Sequence, residues 1–376
     1  MSKGKTEKKI SLWGVGHWGV RVAGSMPDEY RRRLKIVAVD SDVQSLICSP
    51  VADKLTLGWE EAAGRSAGGD GGKGEEAFRE SASAIKEKLA DCRVALIVGG
   101  LGGGTGSSLI PALCGTARGL KILTLALVTR PFAFEGKKKN LLFQRAREGI
   151  EKSGAGLACF SLDRLVGKAE DDTPHDEVFQ RCDRILQEAV ECVIDCLSPS
   201  PGSGCDGAAL ENILTAPGET VMGAYETAKP ENLVAAAKGA FSALSLRPAE
   251  LGRARGFLIQ IEAAGPIPFR HVEQAVGAVS GRLAEDADLL YAVTRKKEAG
   301  DKIIVRIIAF GIPERGGEKI ASAIPVTMTT DVRPAVQTEI DFKKLTRGVF
   351  ADTGPTLLDG EDLDIPTFVR KGVELE

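Results

Sequence analysis

The 376-residue chain reads as an α/β protein: a parallel sheet wrapped by helices, then one long helix, then a second, smaller α/β part. Three observations predict this. Short strand-like runs alternate with helical segments through the first half, the pattern of βα units stacked into a parallel sheet. The stretch from Asp176 to Cys196, DEVFQRCDRILQEAVECVIDC, carries apolar residues at helical spacing and reads as a single helix bridging the two parts. Beyond it the alternation resumes and then decays into Pro, Gly and charged residues after Ile312.

In order, Lys9 to Trp13 is the first strand and a helix follows from about Gly19. Leu34 to Val39, Val94 to Val98 and Ile122 to Val128 continue the strands, with Ala77 to Leu89 between them as a helical segment. After the long helix, helical segments near Pro230 to Leu244 and His271 to Leu283 interleave with strand-like runs at Gly256 to Ala263, Leu289 to Val293 and Lys302 to Phe310. The expected organisation is an N-terminal extension (1–8), a first α/β domain (9–175), the central helix (176–197), a second α/β domain (198–312), a linker (313–360) and a tail (361–376). The tail restores apolar residues at Leu363-Asp-Ile-Pro-Thr-Phe-Val-Arg-Lys371, as a partner-docking peptide would and a solvated end need not.

With 43% apolar and 27% charged residues the composition is that of a globular chain. Lys plus Arg number 49 against 52 Asp plus Glu, so no broad basic field invites nucleic acid. The basic N-terminus runs straight into a strand without an apolar signal region, and no apolar run is long enough for a membrane span; a cytoplasmic protein is expected. Eight cysteines are scattered without a C-x-x-C pair. They read as reduced core thiols; Cys192 and Cys196, four apart on the long helix, could share a metal, although packing is the simpler role.

The densest chemical signal is GGLGGGTGSS at Gly99 to Ser108, placed directly after the strand Val94 to Val98. Such a loop, nearly without side chains, lets backbone N–H groups converge on an anion, and Thr105, Ser107 and Ser108 offer hydroxyl donors. Leu109-Ile-Pro-Ala-Leu starts a helix whose positive end faces the same point. A second turn, Gly14-Val-Gly16-His-Trp-Gly19, follows the first strand, and Asp40 ends the second, with Asp42 beside it near a sugar or metal. That spacing indicates a nucleotide but does not choose between NAD and a nucleoside triphosphate. Gly68-Gly-Asp-Gly-Gly-Lys-Gly74 is either a linker or a third loop. Three loops in one sheet favour a triphosphate over a dinucleotide, and the Walker pattern is absent.

Taken together, GGLGGGTGSS resembles the signature of the tubulin/FtsZ family, and ISLWGVGHWG, VAVDSDVQSL, TRPFAFEGKKK, GETVMG (Gly218 to Gly223) and LDIPTFVRK look like its bacterial FtsZ branch. The resemblance spans nearly the whole chain. It implies a tubulin/FtsZ-like fold, with the GTP-binding domain at 9–175, the catalytic loop in 198–312, and GTP or GDP held together with Mg2+. It places Gly16, Gly102, Gly103, Gly104, Thr105 and Gly106 at the phosphates, with Gly14, Gly19 and Gly68 in the supporting turns, Glu135 at the ribose and Asp183 at the guanine. A carboxylate at Asp183 can accept from guanine N1–H and its exocyclic amine, a donor pair that adenine lacks. The alternative for Asp183 is a solvated helix carboxylate beside Gln187. Lys139 stands where the family commonly has arginine.

Family members complete their active site in trans through an N-x-D-x-x-D loop. Here the matching run is Gly204-Cys-Asp206-Gly-Ala-Ala209, which keeps only the first carboxylate; Glu211 is a substitute, and Asp206 equally suits a helix start. Slow hydrolysis is expected. His17, Trp18 and Arg21 replace small or amide residues in the first turn, where they narrow the site, stack on the nucleotide, or turn outward. The resemblance further implies a head-to-tail homopolymer at the bacterial division site. Its tail residues Asp364, Ile365, Pro366, Phe368 and Arg370 would bind FtsA-, ZipA- or SepF-like membrane tethers, with neither nucleic-acid binding nor direct membrane insertion. A non-hydrolysing structural paralogue and an NAD-dependent oxidoreductase are the two alternatives.

Overall fold

The computed structural model describes residues 9–57, 71–166, 173–197, 207–215, 218–296, 299–313, 357–358 and 361–362. Two compact units divide the chain, Met1–Gly317 and Glu318–Glu376. In the second, the described residues are a two-stranded antiparallel pair, Leu357–Leu358 with Glu361–Asp362.

The first unit is built on strands β1 (Lys9–Val15), β2 (Lys35–Asp40), β3 (Asp53–Thr56), β4 (Cys92–Gly100), β5 (Leu123–Arg130), β6 (Gly156–Ser161), β7 (Glu219–Thr227), β8 (Gly256–Ala263), β9 (Asp288–Arg295) and β10 (Ile303–Ile312). They lie in the order β3-β2-β1-β4-β5-β6-β7-β10-β8-β9. From β3 to β7 every pair is parallel, and β6 touches β7 through the single bridge Phe160 to Thr220. Beyond it, β10 runs antiparallel to both β7 and β8, and β8 pairs in parallel with β9.

Because side chains alternate along a strand, successive residues of β1 and β4 supply different cores. Leu12, Leu96 and Val98 face one side, with α1 (Gly16–Ser25) and α8 (His175–Leu197) over them. Trp13, Val15, Ala95 and Ile97 face the other, under α4 (Gly71–Leu89), α5 (Gly104–Gly119) and α6 (Lys137–Ser153). A third core lies under α10 (Leu233–Ala243) and α12 (Phe269–Ser280). The short helices α2 (Asp28–Arg33), α3 (Val43–Cys48), α7 (Leu162–Val166), α9 (Gly207–Leu214) and α11 (Pro248–Leu251) join these parts.

One expectation changes here. The third glycine loop is helical over Gly71 to Gly74, the first turn of α4, and Gly68 lies outside the described residues. Glycine disfavours a helix, yet adding turns to an established one costs far less than nucleating it, and Ile85 and Leu89 anchor α4 in the core. The long helix forms where the spacing predicts it and is buried on every side from Ala189 to Cys196, taking Glu191 and Asp195 into the interior. Lys296 bonds to Glu262 at 2.8 Å and approaches Glu191 and Asp195 at 3.4 Å each. Arg306 holds Glu262 at 2.7 Å and Glu188 at 3.3 Å, while Tyr30 and Gln260 donate to Asp195 at 2.8 and 2.7 Å. Cys192 donates to Gln260 at 2.9 Å, and burial pushes its thiol above the usual range. Among the described residues, no group of three or more His, Cys, Asp or Glu is placed to hold a metal, and no helix is long and apolar enough to cross a membrane.

Candidate nucleotide site

The chain leaves β1 for β2 and β3 on one side, then returns to place β4 on the other side of β1. Crevices of this kind, at the carboxyl ends of strands where the winding reverses, are where α/β sheets bind ligands. Two helices start there, α1 directly after β1 and α5 just beyond β4. Neither has a side-chain cap, since Val15 and Gly103 occupy the cap positions, and neither has an acidic residue in its first turn. The first-turn N–H groups therefore remain available to an outside acceptor, and both dipoles present positive ends.

The glycines explain how two helix ends come so close. A Cβ at Gly19 would lie 2.2 Å from Val98 O, and one at Gly106 would lie 2.1 Å from Gly100 O. At Gly14 the clash is with Gly19 O at 2.4 Å, while a Cβ at Gly16, where φ is +70°, would stand 3.5 Å from Gly106 N. The two helix starts thus abut, and side chains there would force them apart. Gly103 differs, because a Cβ on it would meet nothing within 4 Å. That open direction at an uncapped helix start fits a polyphosphate.

The hydroxyls mostly serve the loop itself. Thr105 shares a 2.9 Å hydrogen bond with Ser41 at the end of β2, and Ser107 Oγ accepts from Gly102 N at 2.8 Å. Ser108 donates to Gly104 O at 2.8 Å, so its proton is spent inside the helix and not on an anion. Gly104, Thr105 and Gly106 are the first-turn N–H donors, whereas Gly102 has given its N–H to Ser107.

Asp40 is 2% exposed, and its Oδ2 has no hydrogen-bond partner among the described residues. Burial pushes its carboxyl above the ordinary carboxylate range, against hydrogen bonds from nearby groups that act to lower it. Asp42 instead caps α3, accepting from Gln44 N at 2.9 Å. Glu135 accepts from Phe132 N at 2.9 Å and pairs with Lys139 at 2.5 Å. Lys137, Lys138 and Lys139 open α6, the end of a helix where cations are disfavoured. Its start packs on the glycine loop, with Lys139 O 3.3 Å from a Cβ position on Gly102. A basic helix start beside two uncapped ones concentrates positive potential at one point.

Asp183, on α8, is not free. Arg21 Nε donates to Oδ2 and Arg21 Nη2 to Oδ1, each at 2.8 Å, and Trp18 Nε1 also donates to Oδ1. Gln187, the partner considered from sequence, donates to Glu191 at 2.9 Å. Trp18 lies across the glycine loop, its Cε3 3.0 Å from a Cβ position on Gly100, and His17 is exposed. Phe179 lies one turn before Asp183 on α8 and packs edge-on to Phe132 at 5.7 Å.

Asp206 and Gly204 lie outside the described residues, and α9 begins at the next residue, Gly207. The helix packs under the amino ends of β5 and β6: a Cβ on Gly207 would meet Leu123 at 2.8 Å, and one on Gly156 would meet Leu214 at 2.9 Å. Glu211 pairs with Arg118 at 2.5 Å, and Arg118 is in the last turn of the 16-residue α5. Since a helix rises about 1.5 Å per residue, Glu211 is held on the order of 20 Å from the glycine-rich start of that same helix.

Residues 9–167 match the tubulin/FtsZ family GTPase domain. Among solved structures, the chain is similar to an FtsZ dimer of M. jannaschii at 26% identity, over 82% of this chain and 89% of that one, with a TM-score of 0.72. CetZ2 from Haloferax volcanii, a GTPγS-bound protofilament, aligns at 20% identity over 82% and 94% of the two chains with a TM-score of 0.67. CetZ1 of the same organism, a GDP-bound monomer, aligns at 18% over 81% and 95% with a TM-score of 0.66. The CetZ likeness is one of fold.

Proposed function

We propose that this chain, whose residues 9–167 match the tubulin/FtsZ family GTPase domain, binds GTP with Mg2+ at the meeting of β1 and β4 and assembles head to tail. Each junction then holds one nucleotide between the glycine loops of one subunit and the segment before α9 of the next. The observation that carries this is the separation of the two halves of the site. The anion cradle is at the carboxyl ends of the strands, and α9 is at the amino ends of β5 and β6. With α9 at the end of the sheet opposite the cradle, a carboxylate next to its start would meet the phosphates held by a stacked copy and not those of its own chain.

In this reading the N–H groups of Gly104, Thr105 and Gly106 hold the terminal phosphates, and the basic start of α6 at Lys137 to Lys139 adds long-range attraction. Bound Mg2+ supplies charge neutralisation on the phosphates. Asp206 of the neighbouring copy would orient water. Ala209, where the family pattern has a second carboxylate, keeps turnover slow. The chain would serve bacterial cell division at the cytoplasmic face of the membrane, its tail peptide Asp364 to Arg370 gripping membrane-tether proteins. The M. jannaschii FtsZ dimer and the CetZ2 protofilament support assembly as the common habit of the fold.

The test is sedimentation and GTP turnover of the full chain with Mg2+ across a range of protein concentrations. Expected are GTP-dependent polymers and a rate per subunit that rises steeply above a threshold, because catalysis needs two copies. A rate per subunit that stays flat with concentration overturns the in-trans site, and absence of guanine-nucleotide binding overturns the whole reading.

A further inference from the structure

Away from the nucleotide crevice, a cavity of about 290 Å³ lies where the turn after α11 enters β8 and β10 ends. Its charged walls are Arg253, Arg255 and Asp286, while Gly252, Gly311 and Pro313 line the rest with little side chain. Backbone contacts fix the frame. Arg255 N donates to Phe310 O and Asp288 N to Arg255 O, each at 3.0 Å, so strand pairing on both sides sets the position of Arg255. The register of β10 against β7 shifts between Ala309 and Ile312, a bulge in which Gly311 takes a φ of +67°. A Cβ on Gly218 would stand 2.6 Å from Gly311 C, so this wall is backbone packed on backbone. Arg164 Nη2 holds Pro313 O at 3.0 Å.

The charges in this cavity do not balance. Arg255 Nη1 pairs with Asp286 at 3.1 Å, and the two side chains are 60% and 70% exposed. Arg253 is exposed and has no ion pair among the described residues, because Glu250, the acid nearest to it in sequence, turns inward to Arg164 and Arg247 at 3.0 and 3.1 Å. Two guanidiniums thus share the cavity with one carboxylate, and each presents a planar fork suited to an oxyanion. We infer that this cavity is a second anion site, for a small molecule with two oxyanion groups, carboxylate or phosphate, one for each arginine. Asp286 acts there as a tethered rival that the ligand displaces from Arg255. The volume is at the lower end of small-ligand sites, which suits a compound of a few carbons. The site belongs to the β8–β10 part of the fold and is independent of the nucleotide reading.

Calorimetry on the full chain tests this with citrate and phosphoglycolate as probes, at constant ionic strength, with and without saturating GTP and Mg2+. The first probe carries carboxylates alone and the second one carboxylate and one phosphate, so the pair distinguishes the two kinds of oxyanion. Expected is a dissociation constant on the order of 0.1–1 mM for at least one probe, unaffected by GTP. Arg253→Gln and Arg255→Gln each weaken it roughly tenfold, the size of one charge-assisted contact. Asp286→Asn keeps the shape of the rival but removes its charge, and tightens binding about two- to fivefold, the range of an exposed ion pair. All three side chains are exposed, so thermal melts of the variants should match the unaltered protein.

Failure of both probes to bind overturns the inference, as does binding that either arginine variant leaves unchanged. Displacement of the probe by GTP assigns it to the glycine cradle and overturns the inference too. An affinity that is unchanged or weaker in Asp286→Asn means that the ligand does not take the place of that carboxylate, and the assignment of one oxyanion group to each arginine falls.

Discussion

Gly106→Ala is expected to lower stability and nucleotide binding together, whereas Gly103→Ala lowers binding alone. The added methyl at Gly106 would stand 2.1 Å from Gly100 O, a backbone atom at the end of a core strand that cannot swing aside. Relieving such overpacking costs about 3 kcal/mol, which for a unit of this size lowers the melting temperature by roughly 4–5 °C. It also moves the start of α5 away from α1 and separates the two sets of N–H donors. At Gly103 a Cβ meets nothing within 4 Å, and its φ of −87° suits any residue. Thermal melting of Gly103→Ala should therefore match the unaltered protein while GTP affinity falls at least tenfold, the methyl occupying the open face of the anion cradle. Equal melting temperatures for both variants would contradict the packing account. Unchanged GTP affinity in Gly103→Ala would move the phosphates elsewhere.

Lys296→Met is expected to destabilise the first unit by about 3–5 kcal/mol, because it strands buried carboxylates whose desolvation the ammonium had offset. Lys296 is the cation shared by Glu191, Asp195 and Glu262, and Arg306 reaches only the last of these among the three. The pH dependence provides the sharper test. Burial alone would raise Glu262, but Arg306 and Lys296 outweigh it and hold its carboxyl below 4.5. An acid depressed in this way stabilises the fold above its unfolded value, and the contribution is lost as pH falls through the folded one. Burial likewise works to lower Lys296, and the surrounding carboxylates overcome it to raise its ammonium above 10.5. Its contribution is complete below that value and lost as pH rises beyond it.

Removing Lys296 takes one of the two cations from Glu262, so its folded value rises and the variant gains relative stability toward acid. Urea melts at pH 7 and pH 4 should show the deficit of Lys296→Met shrinking at the lower pH. Asp40 and Glu188, both raised chiefly by burial, are common to the two proteins and cancel in the comparison. A deficit that grows toward pH 4 would mean that the lysine does not serve the carboxylates.

The parallel sheet, the long helix and the position of the glycine loop were legible because each rests on local pattern. Val94 to Val98 is a run of strand formers ending in glycine, and Asp176 to Cys196 keeps helical spacing throughout. By contrast β6, Gly-Leu-Ala-Cys-Phe-Ser, has no β-branched residue, and its strand state follows from pairing with β5. β3, four residues at the sheet edge, likewise takes its strand state from pairing, here with β2.

The sequence by itself determined which residues could form an anion site, since only glycine survives where two helix ends approach within van der Waals contact of backbone oxygen. It also determined that Asp183 would lie on one helix and Arg21 on another. Which partner each charge takes is a different kind of fact. Asp183 paired with Arg21, Asp40 turned inward, Glu211 anchored by Arg118 and the carboxylates of α8 closed around Lys296 all depend on contacts between residues far apart in the chain. Only the tertiary structure decided them. Backbone conformation responds to near neighbours and leaves its mark in sequence, whereas a charge takes the partner that packing of distant elements brings within its reach and screens from water.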